Sequence, residues 1–95
     1  MNNKITLDLS NCKYLGEIHQ RIKEAFDFPN FYGENWDAFE DLLWSNCSAE
    51  IIEISGENTL SKELFAEINI LHSILADAKS ERLSKGLSFE FKVIN

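Results

Sequence analysis

Three carboxylates within one short stretch, those of Asp37, Glu40 and Asp41, are the side chains best suited to chemistry. On a helix of 3.6 residues per turn, residues four apart share a face, so Asp37 and Asp41 lie together with Glu40 at their edge. Like charges at this spacing destabilise an isolated helix slightly, and such a local cost is typical of functional sites. Clustered carboxylates can receive a cationic partner or coordinate a metal ion through oxygen.

The residues around the carboxylates predict a helix to carry them. Residues 31–44 read FYGENWDAFEDLLW, in which Asn35 is suited to cap the start of a helix. Asp37 would then lie in the first turn, where a negative charge also stabilises the helix dipole. This structural alternative does not extend to Asp41, which lies beyond the first turn. Trp44 falls at the edge of the acidic side, and the opposite side, toward a core, holds Phe39, Leu42 and Leu43.

The hydrophobic pattern of the whole chain predicts alternating strands and helices. The predicted strands are 4–9, about 50–55 and 87–94. The first predicted helix is 15–26, closed by Pro29, and the second follows Asn35. A third, long helix runs from about Leu64 and stops at Gly86, with a separate short turn before it at 59–64. Each connection between strands is long enough to be helical, so the strands should run parallel. All three strands alternate polar and apolar residues, which places every helix on one face of the sheet.

The predicted fold class is therefore α/β, a small two-layer fold with a three-stranded parallel sheet and three to four helices on one face. Residues 1–95 are expected to form a single domain, because 95 residues with 44% hydrophobic and 26% charged content are typical of one globular unit.

The net charge of −7 is unevenly distributed. No Lys or Arg occurs between Lys23 and Lys62, whereas nine acidic residues do, and the remaining parts carry +2. Such a chain lacks the basic patch of a nucleic-acid-binding surface. The asymmetry instead favours a cationic protein partner that is attracted electrostatically. The alternative is an acidic protein whose charge only keeps it in solution.

The sequence predicts no metal site and no cofactor. Cys12, Cys47, His19 and His72 show no ligand-pair spacing, so they are interpreted as ordinary thiols and helix histidines. The first residues are polar and no apolar run reaches the length of a membrane span. A cytoplasmic protein with two reduced thiols is therefore expected.

The segment Phe31-Tyr-Gly-Glu-Asn-Trp-Asp-Ala closely resembles the barstar family of ribonuclease inhibitors. The resemblance includes Ile18-His19-Gln20, Pro29 and Asp77-Ala78-Lys79, and the order of elements agrees with the three-stranded fold of the family. It implies a protein that binds a small, secreted, guanyl-preferring, barnase-like ribonuclease and keeps it inactive inside the producing cell.

The resemblance also implies roles for individual residues. Asp41 matches the central acidic residue of the family and Asp37 the second one. Asp77 stands where a glutamate often occurs, and its carboxylate is one methylene shorter. Phe31 replaces a tyrosine that packs on the catalytic histidine of the enzyme, and Glu40 replaces a tryptophan. These departures imply a partner related to barnase but not identical to it.

The expected partner-binding residues are Phe31, Tyr32, Gly33, Asn35, Trp36, Asp37, Glu40, Asp41, Trp44 and Asp77. Core packing is the alternative for Phe31, Tyr32 and Trp36. For Gly33, a turn with positive φ is favoured over a direct contact.

Three functions remain open from the sequence. The first is a non-enzymatic inhibitor, an antitoxin or immunity protein, that is a monomer when free and binds a basic ribonuclease or toxin nuclease 1:1. The second is an adaptor of the same fold that binds a basic protein without blocking an active site. The third, which no nucleophile or base motif supports, is a metal-dependent hydrolase with Asp37, Glu40 and Asp41 as ligands.

Overall fold

Alternating apolar residues build a three-stranded sheet in the computed structural model of the protein. The structure describes residues 4–47 and 49–94, except for the side chain of Asn46. Residues 1–3, where no signal segment is predicted, lie outside that part of the chain. The elements are β1 (Lys4–Asp8), α1 (Leu15–Phe26), α2 (Trp36–Asn46), β2 (Ile51–Ser55), a 3-10 turn (Glu57–Thr59), α3 (Lys62–Ser84) and β3 (Glu90–Ile94).

The three strands pair in parallel in the order β1-β2-β3. Leu7 pairs with Ile54, which pairs with Val93, so these side chains point to the same face of the sheet. Leu7 and Ile54 are fully buried there. The alternate residues form the opposite side, which we call the outer sheet face: Lys4, Thr6, Asp8, Ile51, Glu53, Ser55, Glu90, Lys92 and Ile94.

The helices cover the apolar face of the sheet and bury one continuous core. Each contributes large side chains with no exposed surface: Ile18 and Ile22 from α1, Phe39 and Leu43 from α2, and Ile68, Leu71 and Leu75 from α3. Burying an aliphatic or aromatic side chain of this size contributes about 1.5–3 kcal/mol. The predicted fold class is confirmed, with three helices and a three-stranded parallel sheet.

The ends of helices α1 and α3 agree with the sequence prediction, and each has a local cause. Helix α1 ends at Phe26, as predicted, but the cause is Asp27, which adopts the left-handed conformation (φ 54°), and not Pro29. Helix α3 ends as predicted before Gly86 (φ 76°), where the Leu87 N–H donates to the Arg82 carbonyl at 2.9 Å. This Schellman-type end occupies the residues after the helix. Strand β3 consequently begins at Glu90, whereas the sequence predicted a start at residue 87.

The short turn between β2 and α3 also lies earlier than predicted. It spans Glu57–Thr59 rather than residues 59–64, because Gly56 leaves the strand in the left-handed conformation (φ 82°). Side-chain bulk at Gly56 would collide with the Ser10 backbone, since a Cβ there would lie 2.4 Å from the Ser10 nitrogen. Within the described ranges, no helix has the length and apolar character needed to cross a membrane.

Candidate functional site

The turn between α1 and α2 places two neighbouring aromatic residues in different environments. The Tyr32 N–H donates to the Pro29 carbonyl at 3.0 Å, and this bond closes the turn. Phe31, at the corner, is 79% exposed, whereas Tyr32 is 5% exposed and packs in the core. Core packing, the alternative for both residues, therefore holds for Tyr32, and Phe31 presents its ring to solvent.

The segment that follows contains a correction to the prediction for Gly33. The residue with positive φ is not Gly33 but its neighbour Glu34, at φ 54°. Gly33 is instead constrained by crowding, because a Cβ there would lie 3.1 Å from the Asn35 side-chain nitrogen. That nitrogen donates to the Gly33 carbonyl at 3.2 Å, so the glycine allows the Asn35 amide to fold back over the loop.

Asn35 caps α2 as predicted. Its side-chain oxygen accepts a hydrogen bond from the Ala38 N–H at 2.8 Å, and its amide donates back to the loop. A cap of this kind stabilises a helix by about 1 kcal/mol relative to alanine. Asp37 lies in the first turn, where its charge favours the helix dipole. The first turn of α2, which carries Asp37, is therefore stabilised by its own cap and by a favourable charge.

Four predicted site residues share the exposed side of α2: Asp37, Glu40, Asp41 and Trp44. We call this surface the acidic face. All four are exposed, and Trp44 is 41% exposed. Among the described residues, no hydrogen bond or ion pair engages the three carboxylates. The acidic face thus holds three negative charges that nothing in the described part of the chain neutralises.

The loop that precedes α2 contacts His19 of α1 through the buried Tyr32. The Tyr32 hydroxyl lies 2.6 Å from the His19 Nδ1 in the protein interior, and the Nε2 atom of the same ring is buried without a hydrogen-bond partner. Burial lowers the pKa of His19, an effect opposed by the charges of Glu34 and Glu67. Burial also raises the pKa of Tyr32, so its hydroxyl remains protonated.

Trp36, the first residue of α2, is half-buried and directed inward. Its ring lies 4.5 Å from that of His19 and 6.0 Å, edge-on, from that of Phe39. Its indole N–H donates to the Glu67 carboxylate of α3 at 3.0 Å. Trp36, predicted to bind a partner, therefore already uses its polar atom within the protein.

The far end of α2 is held by a residue of α3. The Arg82 guanidinium donates to the carbonyl of Leu43 at 2.7 Å and of Cys47 at 3.1 Å, and it lies 4.7 Å above the ring of Phe89. The last turn of α2 has no basic residue of its own. Arg82 therefore supplies the positive charge that suits a helix carboxyl end.

Asp77 lies on a different element from the other predicted site residues. It is exposed on α3, and no described hydrogen bond or ion pair links it to α2. Helices α2 and α3 nevertheless run side by side in the same direction, since Glu67 meets the start of α2 and Arg82 meets its end. Asp77 falls between these two contacts along α3.

Sequence reasoning missed the roles of His19, Glu67 and Arg82. His19 was interpreted as an ordinary helix histidine, although its spacing from Leu15 and Ile22 places it on the buried side of α1. Glu67 and Arg82 gave no sequence signal, because their partners on α2 are 31 to 39 residues away in the chain.

The carboxylates of the acidic face do not form a metal-binding group. In the part of the chain that the structure describes, no three His, Cys, Asp or Glu side chains are arranged to hold a metal ion. The three acidic side chains instead project to solvent along a helix. This arrangement is suited to contact with a separate cationic surface.

Fold and site together define a small α/β protein whose second helix exposes three carboxylates that no described cation neutralises. The family model described as Barstar (barnase inhibitor) matches residues 2–94, so the chain belongs to the barstar family. The resemblance drawn from residues 31–38 is thereby confirmed. A comparison with curated proteins found no match.

Proposed function

We propose that this protein inhibits a barnase-like ribonuclease by inserting the acidic face of α2 and the preceding turn into the active site of the enzyme. The observation that carries the proposal is the set of unneutralised carboxylates, Asp37, Glu40 and Asp41, on one exposed side of a capped helix. The description of its family as a barnase inhibitor supports the same function.

The chemistry of the enzyme explains why carboxylates suit this task. A ribonuclease must hold an RNA phosphate with Arg, Lys and His groups, so its active site is a cationic pocket. Carboxylates occupy such a pocket through charge-assisted hydrogen bonds, which with arginine are often bidentate. The net charge of −7 attracts a basic enzyme before contact is made.

Within this proposal the residues have different roles. Asp41 is the central phosphate mimic, and Asp37 is the second. The exposed ring of Phe31 packs on the catalytic histidine of the enzyme. Glu40 and Trp44 flank the centre. Asp77 is a peripheral contact that reaches the enzyme from α3.

The proposal includes a cellular setting. The protein acts in the cytoplasm of the producing cell as an antitoxin or immunity protein, is a monomer when free, and binds its enzyme 1:1. It has no catalytic activity of its own. The phenylalanine at position 31, the acid at 40 and the shorter acid at 77 adapt it to an enzyme related to barnase but not identical to it.

An RNA-cleavage assay with purified barnase-like ribonucleases tests the proposal. Increasing amounts of the protein should abolish cleavage near one equivalent. The matched variants are Asp37→Asn/Asp41→Asn and Glu53→Gln/Glu90→Gln, which remove two charges each, from the acidic face and from the outer sheet face. The first pair should relieve inhibition and the second should retain it. An equal loss of inhibition with the two pairs would show that only net charge matters.

Co-expression separates an inhibitor from an adaptor. Cells that express the ribonuclease should grow only when this protein is present in an active form. Binding in a pull-down without any loss of RNA cleavage would reject the inhibitor and favour an adaptor that uses the same surface.

A further inference from the structure

The segment that joins the exposed Phe31 to the exposed Asp37 is anchored from inside at both ends. At one end, the Tyr32 hydroxyl is bonded to the His19 ring of α1 at 2.6 Å. At the other end, the Trp36 indole N–H donates to the Glu67 carboxylate of α3 at 3.0 Å. The His19 and Trp36 rings also lie 4.5 Å apart, so the two anchors touch each other.

The anchored residues determine where their exposed neighbours point. Phe31 directly precedes Tyr32, and Asp37 directly follows Trp36, and consecutive Cα atoms are separated by a fixed 3.8 Å. Between the anchors, Glu34 has a positive φ of 54°, a conformation that a non-glycine residue holds only when its surroundings enforce it. The position of the Trp36 ring thus sets the rotation of the first turn of α2.

Glu67 is the anchor whose effect can be isolated. It is half-buried on α3 and directs its carboxylate at the indole N–H of Trp36 rather than at a cation. Because Glu67 belongs to another element, its bond fixes the start of α2 relative to α3. Without this bond the Trp36 ring could rotate, and the acidic face would be ordered only on binding, at a cost in affinity.

We propose that Glu67 is a positioning residue for partner binding, which holds the acidic face in its binding orientation through the indole of Trp36. The proposal rests on the proposed function, since it concerns affinity for the ribonuclease. Glu67 acts through its hydrogen-bond acceptor and not through its charge. Trp36 correspondingly contributes to binding from inside the protein.

Glu67→Ala and Glu67→Gln test the proposal, because glutamine retains an oxygen acceptor but loses the charge. Affinity for a purified barnase-like ribonuclease would be measured by titration. Glu67→Ala should weaken binding roughly three- to tenfold, the range expected for one hydrogen bond. Glu67→Gln should restore it to within about twofold. Glu63→Gln, which removes an exposed charge one turn earlier on α3, should leave it unchanged.

Hydrogen exchange of the two indole N–H groups, followed by NMR, gives a second measurement on the free protein. The Trp36 signal should be protected in wild type and in Glu67→Gln, and exchange faster in Glu67→Ala. Trp44, which is exposed and makes no described hydrogen bond, is the internal reference in each sample.

The outcomes distinguish this proposal from the function on which it rests. Equal weakening by Glu67→Ala and Glu67→Gln would show that Glu67 acts by charge, and unchanged affinity in Glu67→Ala would show that its bond is irrelevant to binding. Either result overturns the positioning role while leaving inhibition intact. If wild type fails to bind the ribonucleases, the proposed function is rejected together with this role in binding, and indole exchange still decides whether Glu67 holds Trp36.

Discussion

The acidic face of α2 and the outer sheet face are both exposed and charged, but only the outer sheet face contains basic residues beside its acids. On the outer sheet face, the bases Lys4 and Lys92 lie among three acids, Asp8, Glu53 and Glu90. Glu53 of the central strand forms an ion pair with Lys4 of β1 at 2.8 Å. On its other side, Glu53 lies opposite Lys92 in the strand register. On the acidic face, Asp37, Glu40 and Asp41 have no described cation beside them.

The difference separates charge that serves the fold from charge available to a partner. Two bases on the outer sheet face offset much of the charge of its three acids, so less electrostatic free energy is left for binding. The acids of the acidic face repel one another across a helix turn, and a basic protein would relieve that repulsion. The predictions below test this contrast, from the largest expected effect to the smallest.

The largest effect is expected from Asp41→Ala. Losing the central carboxylate removes a charge-assisted hydrogen bond, so affinity for a barnase-like ribonuclease should fall by roughly 10- to 100-fold. Glu90→Ala, the matched control on the outer sheet face, should change it by less than about twofold. The dissociation constants come from inhibition titrations. Equal effects of the two variants would remove the distinction between the two surfaces.

Salt should slow association by about tenfold or more between low ionic strength and 1 M. Screening shortens the reach of the acidic face from about 10 Å at 0.1 M to about 3 Å at 1 M. Stopped-flow association rates measure the effect, and the dissociation rate should change much less. Glu53→Gln/Glu90→Gln should keep the wild-type salt slope, whereas Asp37→Asn/Asp41→Asn should flatten it. The same salt dependence of the association rate in both double variants would contradict the difference between the two surfaces.

Arg82→Ala should destabilise the protein by about 1–3 kcal/mol, because the carbonyls of Leu43 and Cys47 at the end of α2 lose their donor. Chemical unfolding measures the loss. Lys85→Ala is the control, since Lys85 forms an exposed ion pair with Glu81 that contributes at most about 0.5 kcal/mol. An equal loss in both variants would mean that Arg82 does not support the end of the acidic helix.

The stability of the protein should decrease as the pH falls from 7.5 to 5.5. Burial holds the pKa of His19 in the folded state below its unfolded value of about 6.5, so the unfolded state binds more protons as the pH falls through that value. The contribution of His19 to stability is fully present above its pKa in the unfolded state. It is lost as the pH falls toward its pKa in the folded state. Unfolding free energies at both pH values should differ less in His19→Gln than in wild type. An identical difference would exclude His19 as the cause, since His72 is present in both proteins.

The smallest effect is expected from Glu53→Ala on the outer sheet face. Its ion pair with Lys4 is partly exposed, so its loss should cost no more than about 1 kcal/mol of stability. Inhibition should remain within about twofold of wild type. A loss of inhibition comparable to that of Asp41→Ala would place the outer sheet face in the interface.

Much of the fold and part of the candidate site could be predicted because their signals are local. Alternation in the strands identified the face that carries Leu7 and Ile54. Helical spacing separated the buried Phe39 and Leu43 from the exposed acids of α2. Asn35 was identified as the cap because capping depends on residues three apart in the chain.

Other features could not be predicted because they depend on the path of the backbone or on distant residues. The positive φ falls on Glu34 instead of Gly33, since the loop must turn after Tyr32 is buried against His19. Strand β3 begins late because the end of α3 uses the residues before it.

The sequence by itself determined the acidic face: the carboxylates are spaced by one helix turn, the cap stands beside them, and no Lys or Arg lies nearby in the chain. Only the tertiary structure decided how that face is held. Glu67 bonds Trp36 at the start of α2 and Arg82 bonds Leu43 at its end, and both come from α3. Helical periodicity reports which side of a helix is exposed, whereas the contacts that orient it arise from packing between elements distant in sequence.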